Sequence, residues 1–239
     1  MKYLDFSFPT PAQNLACDEA LLDWSEEGGD GEILRVWEPG LHFVVLGYAN
    51  KASREANLAA CRELNIPILR RCSGGGTVLQ GPGCLNYSLI LRIDGARPLA
   101  SIGDANAFIM EAHQGALASV LSKQVSIEGH TDLAIRGRKF SGNAQRRRKR
   151  FLLFHGSFLL RFDLGLIERA LSMPSKQPPY RCSRSHSEFL MNLELPTPVV
   201  QEALKQAWST NGPLESVPSS AIEQLANEKY SRDEWTLRF

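Results

Sequence analysis

Arg70-Arg71-Cys72-Ser73-Gly74-Gly75-Gly76-Thr77-Val78-Leu79 is the stretch around which this 239-residue chain is organised. Two adjacent cations run into three consecutive glycines, between segments that read as strands. Residues without side chains cost backbone entropy on folding, so such a run suits a place where the main chain must approach a ligand or take positive φ. Beside two guanidinium groups, the ligand it suits is an anion, a phosphate or a carboxylate. The common nucleotide folds do not fit. No Lys-Ser/Thr follows the glycines as in a P-loop, and their spacing is not GxGxxG.

Residues 66–69 deliver the chain into this turn as a strand. Beyond it, Gly81-Pro82-Gly83 turns the chain again, and 84–92 alternates Leu85, Tyr87, Leu89 and Leu91 against Asn86, Ser88 and Arg92, a strand with one buried face. Asn86 and Ser88 then face the side that the glycines border. Upstream, Pro11 opens an amphipathic helix over 12–24, and residues 33–37 and 41–48, separated by Pro39-Gly40, read as a hairpin. A further helix is expected through residue 64 with Ser53 as its N-cap. Downstream, 104–121 carries the longest helical pattern. Strands are expected at 133–135 and 151–162, flanking the basic loop Arg146-Arg147-Arg148-Lys149-Arg150. A helix from about 164, a Pro- and cation-rich connection over 173–186, and helices at 198–208 and 218–227 complete the chain. Strands in runs joined by short turns, with irregularly placed helices, predict an α+β fold with a mixed, largely antiparallel central sheet flanked by helices. No repeat or low-complexity tract divides it, so one domain is expected over 1–239, without a separate C-terminal accessory domain.

Composition narrows the function. The chain is 43% hydrophobic and 22% charged, with 27 Lys+Arg against 26 Asp+Glu. A formal net charge of +1 gives no global field for nucleic acid, so anion recognition must come from local clusters. Cys17, Cys61, Cys72, Cys84 and Cys182 are odd in number and form no close CxxC pair. That excludes a disulfide framework and a structural zinc site, and fits a reducing cytoplasm. No window approaches the ~18 apolar residues of a membrane span, so a soluble protein is expected.

The second stretch with chemistry is 132–145. It places Asp132-Leu133 and Gly137-Arg138-Lys139 before Ser141-Gly142-Asn143-Ala144-Gln145. A lone lysine is ordinarily a solvated one. Paired with the Gly turn, Lys139 is a cation able to neutralise charge that develops in acyl or nucleotidyl transfer.

Together these stretches resemble the catalytic domain of the lipoate–protein ligase A family, within the biotin/lipoate ligase and octanoyltransferase superfamily. The resemblance covers nearly the full chain. It is carried in family order by Arg70 to Val78, by the 132–145 stretch, by His155-Gly156, and by Glu228-Lys229-Tyr230 with Glu234-Trp235. It implies a two-step reaction. Lipoate (or octanoate) and ATP with Mg²⁺ give an acyl-adenylate, and a lysine of an acceptor lipoyl-domain protein then attacks it. By the family's pattern Arg71 and the Gly76-Thr77-Val78-Leu79 backbone hold the nucleotide, and Lys139 contacts the acyl carbonyl and the α-phosphate. Arg70, Ser73, Gly74, Gly75, Asn86, Gly142, Asn143, Ala144 and His155 line the same site. Many members carry His-Asp after the glycine motif where this chain has Gln80-Gly81, which leaves Asp132 as the carboxylate for Mg²⁺; a turn or cap role suits it equally.

The related octanoyltransferases use a cysteine nucleophile, in some branches just before the second motif. Here that approach reads Val125-Ser126-Ile127-Glu128-Gly129-His130-Thr131, so an acyl-enzyme through that position is excluded. The biotin-ligase GRGRxGRxW-like loop is also missing. The expectation is an ATP-dependent lipoate–protein ligase. Acyl transfer from a carrier protein is the enzymatic alternative, and a non-catalytic lipoyl-binding subunit that needs a separate accessory chain is the other. The basic run 146–150 is either a solvated loop or a dock for an acidic acceptor or pyrophosphate, and 173–186 is either a lid or a surface connection.

Overall fold

The computed structural model describes residues 1–29 and 31–239. Its strands are β1 (Lys2–Asp5), β2 (Ile33–Trp37), β3 (Phe43–Leu46), β4 (Ile68–Arg70), β5 (Val78–Gln80), β6 (Cys84–Arg92), β7 (Ser126–Glu128), β8 (Asp132–Ile135), β9 (Arg138–Arg147) and β10 (Phe151–Leu159). Its helices are α1 (Pro11–Glu26), α2 (Ala52–Glu55), α3 (Leu58–Glu63), α4 (Ile102–Ala118), α5 (Leu164–Ala170), α6 (His186–Phe189), α7 (Thr197–Ala207), α8 (Ser219–Leu225) and α9 (Asp233–Thr236). A 3₁₀ turn spans Pro179–Arg181 and a π turn spans Ala226–Tyr230.

A seven-stranded sheet runs β1-β2-β6-β10-β9-β8-β7, parallel only between β1 and β2. A three-stranded sheet, β4-β3-β5, stands beside it. This is the mixed, largely antiparallel α+β architecture expected from the chain. Alternation decides the layers. Leu85, Tyr87, Leu89 and Leu91 of β6 pack with Ile109 and Met110 of α4 and Val200 and Leu204 of α7. The opposite face contributes Ile33, Ile90 and Leu153 to a second core with Leu15, Leu21 and Leu22 of α1 and Ile222 of α8. The start of α1 is set by Thr10, whose side chain closes a capping box with Gln13 just before Pro11, satisfying amides the helix cannot pair itself.

Three local expectations are corrected. β2 and β3 do not form a hairpin. Both edges of β2 are taken by β1 and β6, so β3 leaves for the small sheet, where it pairs with β4 and β5. The helix expected from Ser53 is two short ones. α2 has Lys51 at its N-cap with no side-chain bond, and Ala56 leaves the helix to bridge Leu171, after which Asn57 caps α3 through Ala60 N. The 146–150 run is not a free basic loop. Arg146 donates to Cys72 O, Arg147 to Leu99 O and Ala100 O, Arg148 pairs with Asp23 at 2.6 Å and Arg150 with Glu26 at 3.8 Å. Arg148 is thus neutralised by a carboxylate of α1, while Lys149 and Arg150 stay exposed.

Candidate active site

On the α1 side of the large sheet, register aligns two rows of residues. In one, Trp37 opposes Asn86, Asn86 opposes Ser157, and Ser157 opposes Gly142. In the other, Arg35, Ser88, His155 and Ala144 are opposed in the same way. Directly opposed residues share a face, strands lie about 4.8 Å apart, and two residues along a strand advance about 7 Å. The rows therefore form a floor four strands wide, about 14 Å from Gly142 to Trp37.

Two features rise over the β9 end of this floor. A methyl group on Gly142 would lie 2.6 Å from Lys139 Nζ, so the ammonium sits directly above that glycine. A methyl on Gly75 would lie 3.5 Å from Ala144 Cβ, which places the glycine turn above the neighbouring row. Lys139 and the turn thus face each other across roughly 7 Å. Gly74, Gly75 and Gly76 are exposed, and their N–H groups make no hydrogen bond among the described residues. Gly75 has φ +85°, a conformation that favours glycine. Cation and unspent donors around one groove are what an anionic acyl or phosphoryl group requires.

The arginines build the turn instead of lining it. Arg71 is buried and donates to Ser73 Oγ, Gly74 O and Gly76 O. Burial lowers its pKa to about 10, so the guanidinium stays charged and its fork shapes the loop. Arg70 points away: its donors go to the carbonyls of Gly47, Tyr48, Asn50, Trp235 and Thr236. It staples the C-terminal segment to the loop after β3. Thr77 donates to Asn50 Oδ1 at 3.1 Å, and Leu79 is buried in a third core with Val44 and Leu46, opposite Val44 in the small sheet. Asn143 is turned to the opposite sheet face, where it accepts from Tyr87 OH at 2.5 Å and donates to Thr131 O. Gly142 and Ala144, not Asn143, present this stretch to the groove.

Asn86 lies on the floor, 2% exposed, and neither its amide nitrogen nor its oxygen has a partner. Trp37 Nε1 is likewise buried and unpaired, whereas the Ser88 hydroxyl lies close enough to Asp18 to help hold its carboxyl low. Buried polar groups are normally satisfied, so this strip is built for something polar. Asp132 holds Lys139 Nζ at 2.7 Å with Oδ1 and accepts from Tyr180 OH at 2.8 Å with Oδ2. Burial first, and the Asp132 charge second, push the Tyr180 phenol far up, which keeps it a donor. Tyr180 brings the 173–186 connection against the site, and Met191 N donates to Lys139 O at 2.9 Å. Both oxygens of Asp132 are thus engaged, one by an ammonium and one by a phenol.

Ser73 Oγ lies 2.6 Å from His155 Nε2, and His155 Nδ1 lies 2.9 Å from Asp18 Oδ2. Arg35 holds the other Asp18 oxygen at 2.7 Å. Burial, the largest influence on Asp18, would raise its pKa, but the His155 hydrogen bond and the Arg35 charge outweigh it and hold the carboxyl below the usual range. Asp18 and Arg35 were not candidates from the sequence. The available signal was a charge set inside apolar patterns, Asp18 next to Cys17 in α1 and Arg35 between Leu34 and Val36.

The described residues include no helix long and apolar enough to cross a membrane. Known proteins share this architecture along its length. An octanoyltransferase LipM of Brevibacillus brevis is 28% identical, covering 99% of this chain and 98% of that one. A lipoate-protein ligase A subunit 1 of Thermoplasma acidophilum is 26% identical over 94% of this chain and 91% of its own. The solved bi-partite lipoate protein ligase of the same organism superposes with a TM-score of 0.84 at 26% identity, covering 99% and 95%. A lipoate-protein ligase A structure bound with ATP gives 0.82 at 25%, covering 99% and 98%. Residues 10–209 match the family model described as the lipoyl protein ligase A/B catalytic domain, and the chain belongs to that family.

Proposed function

We propose that the protein activates lipoate, or octanoate, with ATP to an acyl-adenylate and passes the acyl group to a lysine of an acceptor lipoyl domain. The observation that carries this reading is the Lys139 ammonium above Gly142, facing the unspent N–H groups of Gly74 to Gly76 across the groove. A carboxylate is inert until one oxygen becomes a good leaving group, and a fixed cation with fixed amides disperses the charge that develops at carbonyl and phosphate. The turn amides would hold phosphate oxygens, and Lys139 would bridge phosphate and acyl oxygen. Acyl-adenylate chemistry needs no enzyme thiol. Cys17, Cys61, Cys72 and Cys84 are buried, and burial pushes the Cys72 and Cys84 thiols up to about 12, far from the thiolate that a thioester route requires.

A second reading, acyl transfer from a carrier protein without ATP, is favoured by the octanoyltransferase relatives. The bi-partite Thermoplasma ligase and its E2 lipoyl domain support a partner chain and a lipoyl-domain acceptor here as well. Unpaired cysteines suit the cytoplasm as the place of action. Incubation of the purified chain with ATP, Mg²⁺ and lipoate, read by mass spectrometry, is expected to yield lipoyl-adenylate, and Lys139→Ala to abolish it. An adenylate formed undiminished by that variant would refute the assignment of Lys139, and acyl transfer from octanoyl-carrier protein without ATP would establish the second reading.

A further inference from the structure

Ser73, His155, Asp18 and Arg35 form one continuous line of hydrogen bonds. Asp18 lies between Arg35 and His155 as an acceptor, so His155 Nδ1 donates to it and Nε2 is turned toward the Ser73 hydroxyl. Arg71 Nε donates to Ser73 Oγ at 3.1 Å. Arginine offers no acceptor, so of these two neighbours only His155 Nε2, at 2.6 Å, can take the serine hydrogen. Ser73 is 1% exposed and His155 8%, so bulk water does not compete for the pair. Ser73 starts the exposed glycine turn, whose carbonyls Arg71 holds while its N–H groups are unspent, and His155 stands in the floor row opposed to Ala144, beneath Gly75.

We propose that Ser73 and His155, with Asp18 as positioning residue, are the proton acceptor for attack by the acceptor lysine. The inference rests on the proposed function only through its last step, which ligase and transferase share. The lysine nitrogen forms a bond to the acyl carbon. The bond from that carbon to the adenylate oxygen, or to the carrier sulfur, breaks, and the electron pair leaves with the departing anion. The surplus amine proton passes to Ser73 Oγ as the serine proton passes to His155 Nε2, and Asp18 stabilises the imidazolium that forms. The imidazolium then releases its proton to solvent or to the departing thiolate. A positioned base of this kind contributes about 10² to 10⁴ in rate.

The test supplies two preformed donors, synthetic lipoyl-adenylate and an octanoyl thioester, and two acceptors, a lipoyl domain and hydroxylamine. Hydroxylamine is already neutral at pH 7 and needs little help from a base. In His155→Gln, whose amide can bond Asp18 and Ser73 but cannot take a proton, transfer to the lipoyl-domain lysine is expected to fall about 10²- to 10⁴-fold, with a far smaller loss to hydroxylamine. Ser73→Ala leaves the His155–Asp18 pair intact and should show the same selective loss, so it carries the comparison if His155→Gln does not fold. Equal losses to both acceptors, or no loss to the lysine, would overturn the relay and leave the chain of bonds a clamp on the turn. Use of the thioester but not the adenylate would overturn the ligase reading while still testing the relay.

Discussion

Gly142→Ala separates the placement of Lys139 from the stability of the fold. Gly142 is not among the residues with positive φ, so alanine can take its backbone conformation without strain. The new methyl would lie 2.6 Å from Lys139 Nζ, 2.8 Å from Cε and 3.5 Å from Asp132 Oδ1, where ordinary contact begins near 3.4 Å. The obstacle is the far end of a flexible side chain, and the ammonium can clear it by retreating roughly 0.8 Å, from 2.6 to 3.4 Å. Removing a glycine from a strand interior itself favours the folded state by about 0.5–1 kcal/mol. Thermal unfolding should therefore stay within a few degrees of wild type, since about 1 kcal/mol corresponds to 2–4 °C at this size. Activity should not. A misplacement of about 1 Å in a reacting constellation costs up to about 10²-fold, so a 10- to 100-fold drop in single-turnover acyl transfer is expected. Gly156→Ala is the contrasting control. Its methyl would overlap Asn143 Oδ1 and meet the Gly142 carbonyl at 2.7 Å, and rigid backbone cannot yield as a lysine tip can, so this variant should lose stability as well. A folded Gly142→Ala enzyme with wild-type turnover would refute the placement of Lys139 at the reacting groups.

Asp18→Asn removes the charge that balances the buried Arg35, and breaking such a pair costs about 3–5 kcal/mol, to be read from urea unfolding at pH 7. Because Asp18 is held below its unfolded value of about 3.9, its stabilisation is present above that pH and is lost as pH falls through the folded value. The gap between wild type and variant should narrow below about pH 4, and a gap unchanged down to pH 2 would show that Asp18 is not held ionised. Native alkylation with iodoacetamide at pH 8 should label Cys182 alone at speed, since the other four thiols are buried and burial pushes Cys17 up to about 11 and Cys72 and Cys84 to about 12. A second rapidly labelled peptide would mean the core opens on that timescale.

Elements whose pattern is local were legible in the chain. The alternation of β6, the α4 helix and the position of the glycine turn all followed from spacing and turn chemistry, because periodicity reports which face is buried wherever one face is solvated or polar. β2 shows the limit. Ile33–Trp37 is buried throughout, and a strand covered on both faces carries no sign of its neighbours, so Pro39-Gly40 suggested a hairpin where the chain instead crosses to another sheet. The break between α2 and α3 came from a bridge to Leu171, more than a hundred residues away, and no window around Asn57 contains that partner.

The sequence by itself determined that a glycine turn and a lysine-bearing strand mark the lipoyl protein ligase A/B catalytic family, since both depend on residue identities at short spacing. Only the tertiary structure decided which of those residues face the groove. Cations compete for acceptors throughout the fold, and Arg70, Arg146, Arg147 and Arg148 are taken by carbonyls and a carboxylate distant in sequence, while Lys139 is held over Gly142. Strand register likewise turned Asn143 away and brought Asp18, Arg35, Ser73 and His155, from four separate segments, into one line of hydrogen bonds. Pairing of buried charge depends on desolvation and on long-range register, and neither is written in any single stretch of the chain.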